Sequence, residues 1–237
     1  MNTNLKNIDV LILCGGLGKR LRGSVSDRPK VLAPIGGGTF LDILLKYADQ
    51  FGLKKFILAV GYKSDQVEEY VRKRGYEVVF SNEESPLGTG GAIKKAEPLI
   101  TSDPFLVMNG DSICHVDLNR FCSFHVEKNA LVSIVTCRVE PSADYGLIAM
   151  DSSSRISSYQ EKALSNKESF ISAGIYLMQK EIFSYMPPKD RFSLEQDLLP
   201  TLLKKKCYAF ATENGMLDIG TPDRYGKARE ILREDVG

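Results

Sequence analysis

Histidine is scarce in this 237-residue chain: His115 and His125 are the only two, and they fall on different segments. A histidine metal cluster or a Ser-His type triad therefore has too little raw material. Cysteine is no better placed. Cys14, Cys114, Cys122, Cys137 and Cys207 are odd in number, scattered and never spaced as CxxC. That argues against a disulfide framework and a zinc site, and points to a reducing, cytoplasmic setting. An excess of one charge is missing too. Thirty-one Lys and Arg against 30 Asp and Glu leave a formal net charge of +1, too little field to recruit nucleic acid or an anionic membrane. The apolar run near the N-terminus stops at glycines after a few residues, too short for a membrane span or a secretory signal. Any phosphate binding must be local.

What is present is a 43% apolar chain, enough to bury a sizeable core, expected here as one domain over residues 1–237. Apolar runs bounded by turn residues alternate with stretches of helical period through the first half. Strands are expected at 9–14, 55–60, 77–81 and 104–111, and helices at 39–52, 64–75 and 89–100. Thr39 is placed to cap the first of these helices and Gly52 to end it. Such alternation means βαβ units and a mostly parallel sheet. The second half changes to strands at 130–139, 145–151, 155–162 and 170–178 with little helix between them, an inserted β subregion of antiparallel or mixed pairing. Helices at 193–205, interrupted by Pro200, and 221–235 flank a strand at 207–212. The basic run at 202–206 reads as a helix end complementing the macrodipole.

The stretch LCGGLGKRL, residues 13–21, has the look of a phosphate loop. A Walker A loop needs Ser or Thr after Gly-Lys, but Arg20 follows Lys19, and the required earlier glycine falls at Leu13. A dinucleotide fingerprint needs a third glycine where Leu21 stands and an acidic residue at the end of the next strand, which is absent. What is left is a loop with Gly15, Gly16 and Gly18, followed by Arg20, Arg22 and, ten residues beyond Arg20, Lys30. Glycines let backbone N–H groups approach phosphate oxygens, and the cations add charge-assisted bonds. Asp111 ends a parallel strand, where open α/β sheets bind ligands, and Asp218 precedes a Gly-Thr-Pro helix start. Two carboxylates suit a hydrated Mg²⁺ bridging phosphates. The conjunction describes phosphoryl or nucleotidyl transfer.

With these landmarks, together with RPKVLAPI (28–35), SNEESPLGTGGAI (81–93), MNGD (108–111), DYG (144–146), QEK (160–162), SAGIY (172–176), FSLEQDLLP (192–200) and LDIGTP (217–222), the sequence resembles the sugar-1-phosphate nucleotidylyltransferases nearly end to end. The resemblance implies a Rossmann-like, glycosyltransferase-A type three-layer α/β sandwich with a mixed, mostly parallel central sheet. It implies transfer of a nucleotidyl group from an NTP to a sugar 1-phosphate, releasing pyrophosphate, with Mg²⁺ as cofactor, to feed surface polysaccharide synthesis. By the same resemblance Leu13, Gly15, Gly16, Gly18 and Lys19 enclose the nucleotide with Asn109, while Glu83, Gly88 and Thr89 face its base. Arg20 grips the triphosphate, Lys30 bridges the two reacting phosphates, and Asp111 and Asp218 hold the metal. Gly146, Glu161, Lys162, Ser172 and Gly174 fall on the sugar side.

LCGG with SNEESPLGTGGAIK looks most like the D-glycero-D-manno-heptose 1-phosphate guanylyltransferases, with mannose 1-phosphate guanylyltransferases next. GTP is thus the favoured nucleotide. A carboxylate such as Glu83 accepts both N1–H and N2–H₂ of guanine, whereas uracil presents one donor between two acceptors. Uridylyl or thymidylyl transfer to a hexose or N-acetylmuramate 1-phosphate stays open, as does a silent nucleotide-sugar-binding subunit. Four positions depart from the common pattern: Lys19 replaces Thr, Val31 replaces a second Pro, Ala163 stands where a Pro follows Glu-Lys, and Ser172 replaces Asn. The last two lie on the sugar side. No appended left-handed β-helix is expected, and a homodimer is compatible with the sequence.

Overall fold

The five residues of strand β1 (Asp9–Leu13) are apolar after the first and buried almost throughout, as a strand covered on both faces must be. In this computed structural model, which describes residues 5–16, 18–21, 23, 25–139, 146–160 and 169–233 (backbone only at Lys19), β1 is a central strand. A small hairpin of β2 (Pro34–Ile35) and β3 (Gly38–Thr39) leads into α1 (Phe40–Asp49). Then come β4 (Lys55–Val60), α2 (Ser64–Arg74), β5 (Val78–Asn82), α3 (Gly88–Ala96) and β6 (Phe105–Asn109). The chain continues through β7 (Ser112–Cys114), α4 (Leu118–Glu127), β8 (Val132–Val139), β9 (Leu147–Met150), β10 (Ile156–Gln160) and β11 (Ser169–Met178). A π-helical stretch, Leu194–Leu198, runs into α5 (Leu199–Leu202), and β12 (Cys207–Thr212), β13 (Met216–Asp218) and α6 (Pro222–Ile231) follow.

Among the described residues nine strands form one sheet along the path β10-β9-β11-β6-β1-β4-β5, with β8 on β11 and β12 on β8. β6, β1, β4 and β5 are mutually parallel, and β12 is parallel to β8. Only β11 and β10 run against the others. Two apolar clusters flank the sheet. Val10 and Ile12 of β1 face α1, α2, α4 and α6, while Leu11 faces α3, the Leu194–Leu198 turn and α5. This period-two division is the three-layer sandwich that the sequence resemblance implies.

Local chemistry explains most element boundaries. Thr39 caps α1 in a capping box: its hydroxyl accepts from the Asp42 N–H, and Asp42 accepts from the Thr39 N–H. Several elements differ from the sequence expectation, three of them helical. Helix α4 was not anticipated between 111 and 130, although Asp117 caps it and Leu118, Phe121, Cys122 and His125 form its buried stripe. The 193–205 helix divides at Leu199, where α geometry replaces π geometry ahead of Pro200. Helix 89–100 ends at Ala96 in favour of a 3₁₀ turn, Glu97–Leu99, containing Pro98, since Pro removes a helical donor. No helix among the described residues is long and apolar enough to cross a membrane.

Candidate active site

The carboxyl ends of the four parallel strands lie side by side, so Asn109, Leu13, Val60 and Asn82 bring the segments that follow them to one sheet edge. Close backbone contacts lock these ends together. The Gly110 N–H donates to the Leu13 carbonyl at 3.0 Å, and a Cβ on Gly110 would stand 2.4 Å from that oxygen. Only glycine fits there. The Cys14 N–H donates to the Ala59 carbonyl and the Glu83 N–H to the Val60 carbonyl.

Gly15 and Glu83 meet across this edge: a Cβ on Gly15 would lie 2.6 Å from Glu83 Oε1. The missing side chain is what lets the carboxylate sit against the loop. Glu83 Oε2 accepts the Leu87 N–H at 3.1 Å. Burial nevertheless dominates and pushes the Glu83 carboxyl above its ordinary range. Gly16 faces open space, Gly18 turns the loop with a φ of 57°, and the short 3₁₀ turn Lys19–Leu21 is anchored by buried Leu21 while Arg20 is exposed. Cys14, beneath the loop, is held as a neutral thiol by burial and by the nearby charges of Asp111 and Glu83. It is not a nucleophile.

The charged centre lies at the β6 end. Lys30 Nζ donates to Asp111 Oδ2 at 2.6 Å, and its side chain is only 12% exposed against 45% for Asp111. The cation is therefore pinned while its partner faces solvent. Asp218 arrives from 107 residues later in the chain because β13 pairs with β7, which sets Asp218 opposite Ser112. The Ile219 N–H then donates to the Asp111 carbonyl. Asp218 Oδ1 accepts the Gly220 N–H at 2.7 Å, and Oδ2 lies 3.5 Å from Arg224. Neither short strand nor the Arg224 contact is anticipated from the sequence, yet the pairing of the two strands is what brings the two acidic residues together. All their side-chain polar atoms are oxygens, the donor type Mg²⁺ takes, and one Asp111 carboxylate oxygen has no protein partner among the described residues. The pair fits that ion as far as donor chemistry goes.

On the other side of the edge, β11 changes partners at its midpoint. Its Ile175–Met178 half pairs with β6, and Phe170 and Ile171 pair with β9. Gly174 makes the bend at a φ of 75°, where a Cβ would stand 2.6 Å from Ser112 Oγ and 2.8 Å from Asn109 Nδ2. Asn109 Oδ1 is buried with no hydrogen-bond partner among the described residues. Gly146 is one step beyond the Leu147–Ile171 pair, beside Ser172. Glu161 and Lys162 lie outside the described residues, as does the Lys19 side chain.

Gly88, at a φ of 74°, opens α3 against the 192–193 backbone. The Thr89 hydroxyl is engaged by the 192–200 stretch: it donates to Glu195 at 2.6 Å and accepts the Leu194 N–H at 2.8 Å. The structure thus brings Leu13, Gly15, Gly18, Lys30, Glu83, Asn109, Asp111, Ser172, Gly174 and Asp218 to one edge of the sheet.

Comparisons with known proteins agree with this fold. A family model described as Nucleotidyl transferase matches residues 9–235. A D-glycero-alpha-D-manno-heptose 1-phosphate guanylyltransferase of Aneurinibacillus thermoaerophilus is 37% identical over 232 residues, 97% of this chain and 100% of that protein. One of the same description from Campylobacter jejuni is 33% identical, covering 92% and 97%. A mannose-1-phosphate guanylyltransferase of Mycobacterium tuberculosis is 30% identical, covering 92% of this chain and 62% of its own length. The crystal structure of HddC from Yersinia pseudotuberculosis superposes with a TM-score of 0.84 at 35% identity, covering 95% and 99%, and that protein has also been solved with GMP-PN. A phosphate-type glycine loop, a pinned lysine and two converging carboxylates, set on a fold shared along nearly the whole chain, have one common meaning: the chain belongs to the nucleotidyl transferase family and is a nucleotidyltransferase enzyme.

Proposed function

We propose that the protein is a D-glycero-α-D-manno-heptose 1-phosphate guanylyltransferase, which joins GTP and the sugar phosphate to give GDP-heptose and pyrophosphate. The observation that carries the chemistry is the Lys30–Asp111 pair beside Asp218 at the carboxyl edge of the sheet. Support for the substrates comes from likeness to heptose guanylyltransferases over 97% to 100% of their own lengths, against 62% for the mannose enzyme.

In the reaction a sugar phosphate oxygen attacks the α-phosphorus of GTP. One P–O bond forms, the bond to the β-phosphate oxygen breaks, and its electron pair leaves with pyrophosphate. The nucleophile is already an anion, so no general base is required and the absence of a site histidine costs nothing. The obstacles are repulsion between two anions and their alignment. Lys30, held rigid by Asp111, sets a positive charge where the two phosphates meet. Arg20, exposed on its short turn, meets the departing pyrophosphate. Backbone N–H groups of the Gly15–Gly18 loop hold the remaining phosphate oxygens. Asp111 and Asp218 would hold Mg²⁺, which neutralises phosphate charge when bound. Glu83, lying against Gly15, accepts the N1–H and N2–H₂ of guanine.

A matrix of nucleoside triphosphates against sugar 1-phosphates, with Mg²⁺ and pyrophosphate release as the signal, tests this reading. GTP with heptose 1-phosphate is expected to give the highest kcat/KM. Release with UTP or dTTP but not GTP overturns the guanylyl assignment, and a higher kcat/KM for mannose 1-phosphate overturns the heptose one.

A further inference from the structure

The stretch at 192–200 takes no part in the chemistry above, yet its Glu195 sits at a crossroads. Glu195 Oε2 accepts the hydroxyl of Thr89 at 2.6 Å and of Ser193 at 2.9 Å, while Oε1 accepts the hydroxyl of Tyr176 at 3.4 Å. Thr89 belongs to α3, on the nucleotide side, and Tyr176 to β11, two residues beyond the Gly174 bend on the sugar side. We propose that Glu195 is a positioning residue that couples the start of α3, on the nucleotide side, to the sugar-facing bend of β11 and fixes the hydrogen-bonding role of Ser172. The proposal rests on the two-substrate reading given above.

Direction follows from hydrogen-bond inventory. A carboxylate only accepts, so the single proton of Tyr176 points to Glu195, and its oxygen receives the Ser172 hydroxyl at 3.0 Å. Tyr176 is 1% exposed, and burial beside Glu195 holds its phenol far above the ordinary range, so it stays a donor. Ser172 Oγ in turn accepts the Gly174 N–H at 3.2 Å. The Ser172 proton is thus committed inward, and what Ser172 offers a ligand is a lone pair that accepts from a sugar hydroxyl. The same logic holds on the other arm. The Thr89 proton is committed to Glu195 and its oxygen receives the Leu194 N–H. The Phe192 carbonyl receives the Gly90 and Gly91 N–H groups, clamping the start of α3. A glutamine at 195 has the same shape but carries one donor group, so it cannot accept from both arms.

The test measures kcat and both KM values for wild type, Glu195→Gln, Tyr176→Phe, Thr89→Val and the Glu195→Gln/Tyr176→Phe double variant, together with each Tm. The substrates are the triphosphate and sugar phosphate that the wild type turns over. A pair other than GTP and heptose 1-phosphate overturns the substrate assignment and leaves this comparison in force. Tyr176→Phe is expected to raise the sugar phosphate KM about tenfold, roughly the loss of one buried hydrogen bond, with the nucleotide KM and kcat within about twofold. Thr89→Val does the reverse, Glu195→Gln raises both, and the double variant matches Glu195→Gln in sugar KM because the two residues act through one connection. Both KM values unchanged in Glu195→Gln overturns the proposal. So do independent, multiplying effects in the double variant, or an activity loss that follows Tm with both KM values intact.

Discussion

Glu83 and Asp111 show how the same functional group meets different surroundings at one sheet edge. Burial beside Gly15 raises the Glu83 carboxyl above its usual range, whereas Asp111 keeps a 45% exposed side chain bound to Lys30. A raised pKa means that Glu83 gains its proton earlier as pH falls, and a protonated carboxyl cannot accept both guanine donors. The GTP KM of the wild type is therefore expected to climb on acidification, beginning above the ordinary carboxylate range. Glu83→Gln should show a higher KM that lacks this rise, and the ratio of the two cancels titration of GTP itself. A constant ratio across pH removes Glu83 from base recognition. Asp111→Ala is expected to lower kcat/KM by about two orders of magnitude or more. Folding should survive, because the contact from the Ile219 N–H is to the Asp111 backbone carbonyl, which alanine keeps. Unchanged turnover in a well-folded variant takes Asp111 out of the metal role.

At the scale of elements, the start of α1 depends on a single buried acid. Asp42, with a side chain 2% exposed, accepts from the Thr39 backbone and hydroxyl, from Tyr70 on α2 at 2.5 Å and from Tyr76 just beyond it at 2.8 Å. Burial pushes its pKa up, but these hydrogen bonds outweigh it and leave the carboxyl below its usual range. Asp42→Ala would strand those buried donors and is expected to cost about 3 kcal/mol, lowering Tm by about 10 °C. Thermal unfolding measures it directly, and a fall of under about 2 °C would show that water replaces the carboxylate at no cost. Helix α4 carries a readable signal, an Asp117 cap followed by apolar or buried positions 118, 121, 122 and 125, which a reading of the second half as mostly strand passes over. Strands β7 and β13, three residues each, carry no periodic signal that so short a window could reveal.

The whole molecule is built so that ligand binding reaches the core. Three of the four strands ending at the site, β6, β1 and β4, are central to the sheet and contribute to both apolar clusters, while β5 is the last strand on that side. Nucleotide that binds there should stabilise the native state by RT ln(1 + [L]/Kd), about 2.7 kcal/mol at a hundredfold excess over Kd. For a chain of this size that is a Tm increase of about 5–10 °C. Scans with GTP and Mg²⁺ are expected to show this shift, whereas a shift equal for every nucleoside triphosphate removes the base selectivity assigned to Glu83.

The sequence by itself determined the local facts: buried strands alternating with helices, a glycine loop that is neither a Walker nor a dinucleotide loop, and the order of landmarks that resembles the family. Those properties are written in neighbouring residues, because periodicity and turn chemistry act over a few positions. Tertiary structure alone decided which distant groups meet. Lys30 reaches Asp111 across 81 residues, Asp218 is delivered by a three-residue strand, and the Thr89 hydroxyl turns to Glu195 across 106. A pattern of apolar residues tells which face of an element is buried but not what lies against it. That choice follows from strand order and packing, which are properties of the whole chain.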